Sequence, residues 1–251
     1  MLQTSKPLIH NLFSGAQEVF DPASDLIVFL HIEKTAGSTL SKYLRRALGD
    51  DRYRWFPEEK LLQAAGSGAL SGLWMVAGHI PFGFHHLIGR RCLYVTMLRD
   101  PIDRIESWYY YQRTRPERGG YAMAHKLDIN DWAERLIERG SPVVSNFQTR
   151  RVLGYRLPEG ERAFEIVRAH VERSVSFIAP SDQVDRFAGW VCATVGCPFE
   201  GTLERKKVNA ARPATSGLDP ATRAKLVTLN ALDLDLVRWV DGLHSPADAG
   251  E

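Results

Sequence analysis

Leu26 to His31 (LIVFLH) is a short, nearly continuous apolar run that follows the turn-like DPASD. Such a run marks a strand buried on both faces of a parallel sheet. A sheet of that kind needs covering helices, and one is announced at once. After EKTAGST, the residues Leu40, Tyr43, Leu44, Ala47 and Leu48 recur at three- and four-residue spacing, with Lys42, Arg45 and Arg46 between them. The segment therefore reads as strand, small-residue turn and amphipathic helix.

Further buried strands are expected at Leu73–Ala77 (LWMVA), Cys92–Leu98 (CLYVTML) and Val175–Ala179, with helices at Ile102–Gln112, Ile129–Glu138 and Ala221–Val240. Strands alternating with helices predict a three-layer α/β fold, P-loop-like, with a mainly parallel sheet flanked by helices. At 251 residues, 44% hydrophobic and 25% charged, the chain can bury one sizeable core. The expected organisation is an irregular arm over 1–24, one domain over 25–243 and a frayed tail over 244–251.

Thirty-two Lys plus Arg against thirty Asp plus Glu leave a formal net charge of +2, which argues against a nucleic-acid partner and makes any basic site local. The three cysteines, Cys92, Cys192 and Cys197, are odd in number and lack metal-ligand spacing, which fits a reducing cytoplasm. No signal-like h-region opens the chain, and no stretch approaches the roughly 18 apolar residues of a membrane span. Oligomeric state is not legible.

In parallel α/β sheets ligands sit beyond the carboxyl ends of the strands. His31–Thr39, His79 and Arg99 fall at those ends. A helix N-terminus carries unpaired N–H groups and partial positive charge, so a turn of small residues before it can wrap an anion. Ala36 and Gly37 allow close approach, Ser38 and Thr39 offer hydroxyls, and Lys34 adds a full charge. A plain alternative is a helix capped by Thr35 or Ser38. A nucleoside-triphosphate P-loop needs GxxxxGK[ST]; here Lys34 precedes Gly37, so a Mg²⁺-dependent kinase is disfavoured. In YVTMLRDPIDRIESWYY, Pro101 suits the first helical turn and Asp100 its cap. Arg99 is left to bind a phosphate through its planar fork, with Ser107 two turns on, or to pair with an acid at the sheet edge.

HIEKTAGSTL (31–40) followed by VTMLRDPIDRIESWYYY (95–111) resembles the sulfotransferases that use 3′-phosphoadenosine 5′-phosphosulfate (PAPS), in particular the bacterial and carbohydrate group related to heparan sulfate 2-O-sulfotransferase. The resemblance implies that Lys34, Thr35, Ala36, Gly37, Ser38 and Thr39 bind the 5′-phosphosulfate and that Arg99 and Ser107 bind the 3′-phosphate. It implies transfer of a sulfuryl group to a hydroxyl, releasing adenosine 3′,5′-bisphosphate without a metal. His79 after Gly78 is then the general base, and Lys34 stabilises the leaving phosphate. The second His that relatives carry two residues earlier is replaced by Ala77. SNFQTRRVLG (145–154) resembles an acceptor-lining stretch, implying contacts from Asn146, Gln148 and Arg150; the paired Arg150 and Arg151 equally suit a solvated helix face. Lys206 and Lys207, beside Arg205 and Asn209, stand where the family closes a basic loop over the nucleotide. Glu33 departs from the Pro of many relatives, and either contacts the acceptor or pairs with Lys34. His85 and His86 read chiefly as packing or surface residues. Competing readings are a non-catalytic nucleotide-binding module and a P-loop-like kinase. The acceptor, expected to be a saccharide, is where the residues fall silent.

Overall fold

The computed structural model describes residues 8–13, 17–199, 201–203, 213 and 215–245. Its elements in chain order are β1 (Leu8–His10), β2 (Gln17–Val19), β3 (Asp25–Leu30), α1 (Gly37–Leu48), β4 (Tyr53–Trp55), α2 (Glu58–Gly66), β5 (Met75–Gly78), β6 (Arg91–Leu98), α3 (Pro101–Gln112), α4 (Tyr121–Lys126), α5 (Ile129–Glu138), α6 (Phe147–Leu153), α7 (Ala163–Ser174), β7 (Val175–Pro180), α8 (Val184–Val195), α9 (Pro220–Leu229) and α10 (Ala231–Leu243).

The main sheet has the order β4-β5-β3-β6-β7, and every pairing in it is parallel. β3 is buried along its whole length because it is central and covered on both faces. Its alternate side chains separate the two layers. Ile27 and Phe29 join Leu40 and Leu44 of α1 and Phe187 and Val191 of α8. Leu26, Val28 and Leu30 join Leu61 and Ala64 of α2. Nearer β7, Leu98 and Ile178 pack with Val171 of α7 and Leu236 and Val240 of α10. Burying each large aliphatic side chain this fully is worth about 1.5–3 kcal/mol. The three-layer α/β reading thus holds.

The strand order places the switch point between β3 and β6: the chain leaves β3 to build β5 and β4 on one side, then crosses to β6 and β7 on the other. At such a point the loops after the two central strands diverge and leave a crevice. Asp25 starts β3 opposite Arg91 of β6, and a two-pronged pair, Nε to Oδ1 and Nη2 to Oδ2, both 2.8 Å, sets that register.

Four sequence expectations need correction. The arm is not wholly irregular: β1 and β2 pair antiparallel, β1 lies beside α8, and Leu12 N–H donates to the Ser176 carbonyl at 3.2 Å. The edge strand β4 was not anticipated; its YRW triplet has only Tyr53 buried and gives no apolar run. β5 runs from Met75 to Gly78 rather than 73–77, because the Arg52 carbonyl takes both the Trp74 and Met75 N–H groups at its entry. The single helix expected over 221–240 is two. Asn230 divides them, its Nδ2 donating to the carbonyls of Leu226 and Val144 (both 2.8 Å) and its Oδ1 accepting from Asn146 N–H (3.0 Å), bonds that turn the chain toward α6. Among the described residues no helix is long and apolar enough to cross a membrane.

Candidate active site

The loop between β3 and α1 is held by its own backbone and by Arg99. Lys34 and Ala36 adopt left-handed conformations, φ 74° and 66°. Non-glycine residues rarely do so, and each instance costs about 1–3 kcal/mol that the surroundings must supply. Buried Thr35 helps: its hydroxyl donates to the Ile32 carbonyl at 2.8 Å. Arg99 Nη1 donates to the Lys34 carbonyl at 3.1 Å, joining the ends of β3 and β6. The expected cap by Thr35 or Ser38 does not form. Ala36 occupies the N-cap position, no side chain caps α1, and its first turn carries no acid. The end of a 12-residue helix therefore stands at the sheet's carboxyl edge with no side-chain cap; Thr39 N–H bonds the Ala36 carbonyl at 3.2 Å, and the partial positive charge of the helix end remains for an anion. Ser38 is exposed and Thr39 half-buried beside it.

Gly37, the first residue of α1, is dictated by a neighbour. A Cβ there would sit 1.9 Å from Nε2 of His31. His31 is 7% exposed and lies between two rings, Phe29 at 5.4 Å and His79 at 4.7 Å. Burial pushes its imidazole down to about 3, with nearby His79 and Lys34 adding to the effect, so it is neutral at ordinary pH.

His79 follows β5 and is half-buried. Its Nδ1 is 2.8 Å from the His31 carbonyl. A carbonyl can only accept, so Nδ1 carries the proton and Nε2 keeps its lone pair. Trp55, 40% exposed at the end of β4, meets the His79 ring edge-on at 5.5 Å.

Arg99 lies between β6 and α3, and its Nε donates to Asp103 of α3 at 2.5 Å. Asp100 caps the helix through the Asp103 N–H and Pro101 occupies the first turn, as the sequence predicts. Asp103 and Ser107 lie four residues apart on one stripe of α3, and Arg99, ahead of the N-cap, reaches that stripe through its bond to Asp103. Of the two readings of Arg99, the structure shows the pairing with an acid, made at the edge where the switch point lies. Lys34 Nζ lies 4.2 Å from the centre of the Tyr111 ring, two turns further along α3 than Asp103.

The acceptor-side candidates divide. Gln148 is fully buried and spends its amide on the Arg99 backbone, accepting from N–H at 2.9 Å and donating to C=O at 2.7 Å. Asn146 accepts from Asp233 N–H at 3.1 Å at the junction of α6 and α10. Arg150 donates to the carbonyls of Ser145 and Tyr155, at 3.1 and 3.3 Å. Its neighbour Arg151 turns to the site instead, reaching Glu33 (3.4 Å), Glu58 (3.6 Å) and the Tyr155 hydroxyl (2.5 Å). Glu33 thus pairs with Arg151, and its Oε1 is also 3.9 Å from His79 Nδ1. Glu58 and Tyr155 were not singled out from sequence as site residues, and Arg151 was read only as one of a basic pair with Arg150, to bind an anionic sugar or form a solvated face. The signal that existed was the Arg150–Arg151 doublet, but which arginine points inward depends on how α6 packs.

Beneath these groups lie buried charges. Burial raises the Asp233 carboxyl, although Thr149 and Gln148 donate to it; burial draws Arg104 down to about 10, leaving it charged at neutral pH. His85 hydrogen-bonds the Tyr94 hydroxyl through its backbone N–H (2.9 Å) and Nδ1 (3.2 Å), a packing role. Lys206 and Lys207, with Arg205 and Asn209, lie outside the described residues. Among the described residues, no group of three or more His, Cys, Asp or Glu is placed to hold a metal ion.

No curated protein matches the chain. A match to the sulfotransferase family runs over residues 18–142, just under half of the chain, and takes in the loop before α1, His79, Arg99 and Ser107; it supports a sulfotransferase family for this protein.

Proposed function

We propose that the protein transfers a sulfuryl group from PAPS to an acceptor hydroxyl, on a saccharide, without a metal. The observation that carries this reading is His79: its Nδ1 is committed to the His31 carbonyl, so in the neutral ring the opposite nitrogen keeps its lone pair, and its ring neighbours His31, which covers the first residue of the uncapped α1. The uncapped N-terminus of α1 suits a phosphosulfate, and Arg99 with Ser107 suits a second phosphate on the same nucleotide.

In the reaction, His79 Nε2 takes the proton of the acceptor hydroxyl as its oxygen forms the new S–O bond. The old S–O bond to phosphate breaks, and its electron pair stays on the phosphate oxygen. Lys34 and the α1 N-terminus face that developing charge. Thr35 keeps the loop closed from within, while Ser38 and Thr39 supply hydroxyl donors. For the acceptor, Trp55 and Tyr155 offer exposed rings, and Glu33, Glu58 and Arg151 offer hydrogen-bonding groups suited to sugar hydroxyls. Asn146 and Arg150 support that wall from behind by fixing α6, with Gln148 acting through Arg99. Three cysteines that remain thiols suit a cytoplasmic setting.

The test is transfer from ³⁵S-labelled PAPS to a panel of glycans, phenols and hydroxylated lipids. His79→Ala should lower turnover about 10²- to 10⁴-fold with donor binding kept. Arg99→Ala should raise the donor KM. Full activity in both variants would overturn the site, and tight bisphosphate binding without transfer to any acceptor would leave a nucleotide-binding module in place of an enzyme.

A further inference from the structure

The proposed chemistry uses His79 and leaves the second imidazole, His31, without a task. Three observations give it one. First, His31 is nine-tenths buried and sandwiched between Phe29 and His79, so its ring cannot turn away. Second, its Nδ1 is buried without any hydrogen-bond partner. Third, its Nε2 lies over the first residue of α1, so close that only glycine fits at position 37.

A neutral imidazole carries one proton. Placed on Nδ1, that proton would be a buried N–H with no acceptor, which folded proteins rarely tolerate. Placed on Nε2, it leaves only a lone pair unsatisfied and aims a donor at the α1 N-terminus. The ring is kept neutral by burial, with His79 and Lys34 adding to the effect, so it can act as a neutral hydrogen-bond donor.

We infer that His31 is a donor-binding residue whose Nε2–H bonds an oxygen of the 5′-phosphosulfate at the N-terminus of α1. This rests on the sulfotransferase reading above. His31 gives up no proton: its hydrogen bond spans the donor's 5′ group while His79 accepts the proton from the acceptor. Two histidines with ring centres 4.7 Å apart thus divide the work, one facing the donor and one the acceptor.

Calorimetry with adenosine 3′,5′-bisphosphate and with adenosine 3′-monophosphate separates this role from a structural one. His31→Leu should weaken bisphosphate binding about 10- to 100-fold, as expected for a lost bond to a charged group. It should leave the monophosphate, which lacks the 5′ group, within about twofold, and His31→Gln should restore most of the difference. An equal loss for both ligands, or none, would overturn the inference alone. A wild-type chain that binds neither nucleotide would overturn the sulfotransferase reading and this inference with it. Should the variants fail to fold, long-range ¹H–¹⁵N spectra of the wild type decide the matter. A neutral Nε2–H tautomer whose signal moves with bisphosphate and not with monophosphate supports the contact, and an Nδ1–H tautomer refutes it.

Discussion

The side-chain amide of Gln148 grips the backbone of Arg99, accepting from its N–H at 2.9 Å and donating to its carbonyl at 2.7 Å, so a residue on α6 extends the hydrogen bonding of β6 past its last strand residue. Because the amide is fully buried, removing it strands two backbone groups. Gln148→Leu is expected to cost about 2–4 kcal/mol of stability and to raise the donor KM with little change in turnover. Urea unfolding and donor saturation curves check both halves.

Arg151 and Glu33 form a partly buried pair beside His79, 11% and 16% exposed in their side chains. Breaking such a pair from one side leaves an uncompensated charge. Arg151→Leu should destabilise the protein by about 3 kcal/mol, and adding Glu33→Gln should recover a good part of that loss. A double-mutant cycle by chemical denaturation measures the coupling; strict additivity would count against the pair.

Gly37→Ala directs a methyl group to within 1.9 Å of His31 Nε2 and 2.0 Å of Cδ2. Both ring atoms are fixed by stacking, so the loop before α1 must shift. The expected cost is about 1–3 kcal/mol, together with loss of donor affinity. Combining it with His31→Ala should return much of the stability and none of the affinity, which thermal melting and calorimetry distinguish.

His31 also gives stability a pH dependence. Unfolded, its imidazole titrates near the ordinary value of 6.5; folded, burial pushes it down to about 3, with His79 and Lys34 adding to the effect. Between those values the unfolded chain binds the proton and the folded chain does not, so this contribution is whole above pH 6.5 and is lost as pH falls. The slope is at most about 1.4 kcal/mol per pH unit, or about 2 kcal/mol between pH 6.5 and 5. His85, His170 and His244 are lowered in the same direction by burial and share the wild-type slope. His31→Leu should therefore flatten the curve by one histidine's share, measured by urea titrations at half-unit pH steps. An unchanged slope would count against a neutral His31.

The sequence by itself determined the central sheet and the residues at its carboxyl edge. Apolar runs at Leu26–His31 and Cys92–Leu98 are long enough to name buried strands, and the order of strand, small-residue turn and helix puts Lys34–Thr39 and Arg99 at the same edge whatever the details. Local chemistry also marked Asp100 and Pro101 as the start of α3, since capping depends on neighbours in the chain. Tertiary structure alone decided the partners. That Glu33 meets Arg151, 118 residues away, depends on how α6 packs against the sheet. The burial of Gln148 and the break at Asn230 come from long-range backbone groups that those amides satisfy. His31 looked like the last residue of a strand. Only folding placed it beneath Gly37 and beside His79, because a short periodic pattern records which face a side chain takes but not which atoms from elsewhere in the chain meet it there.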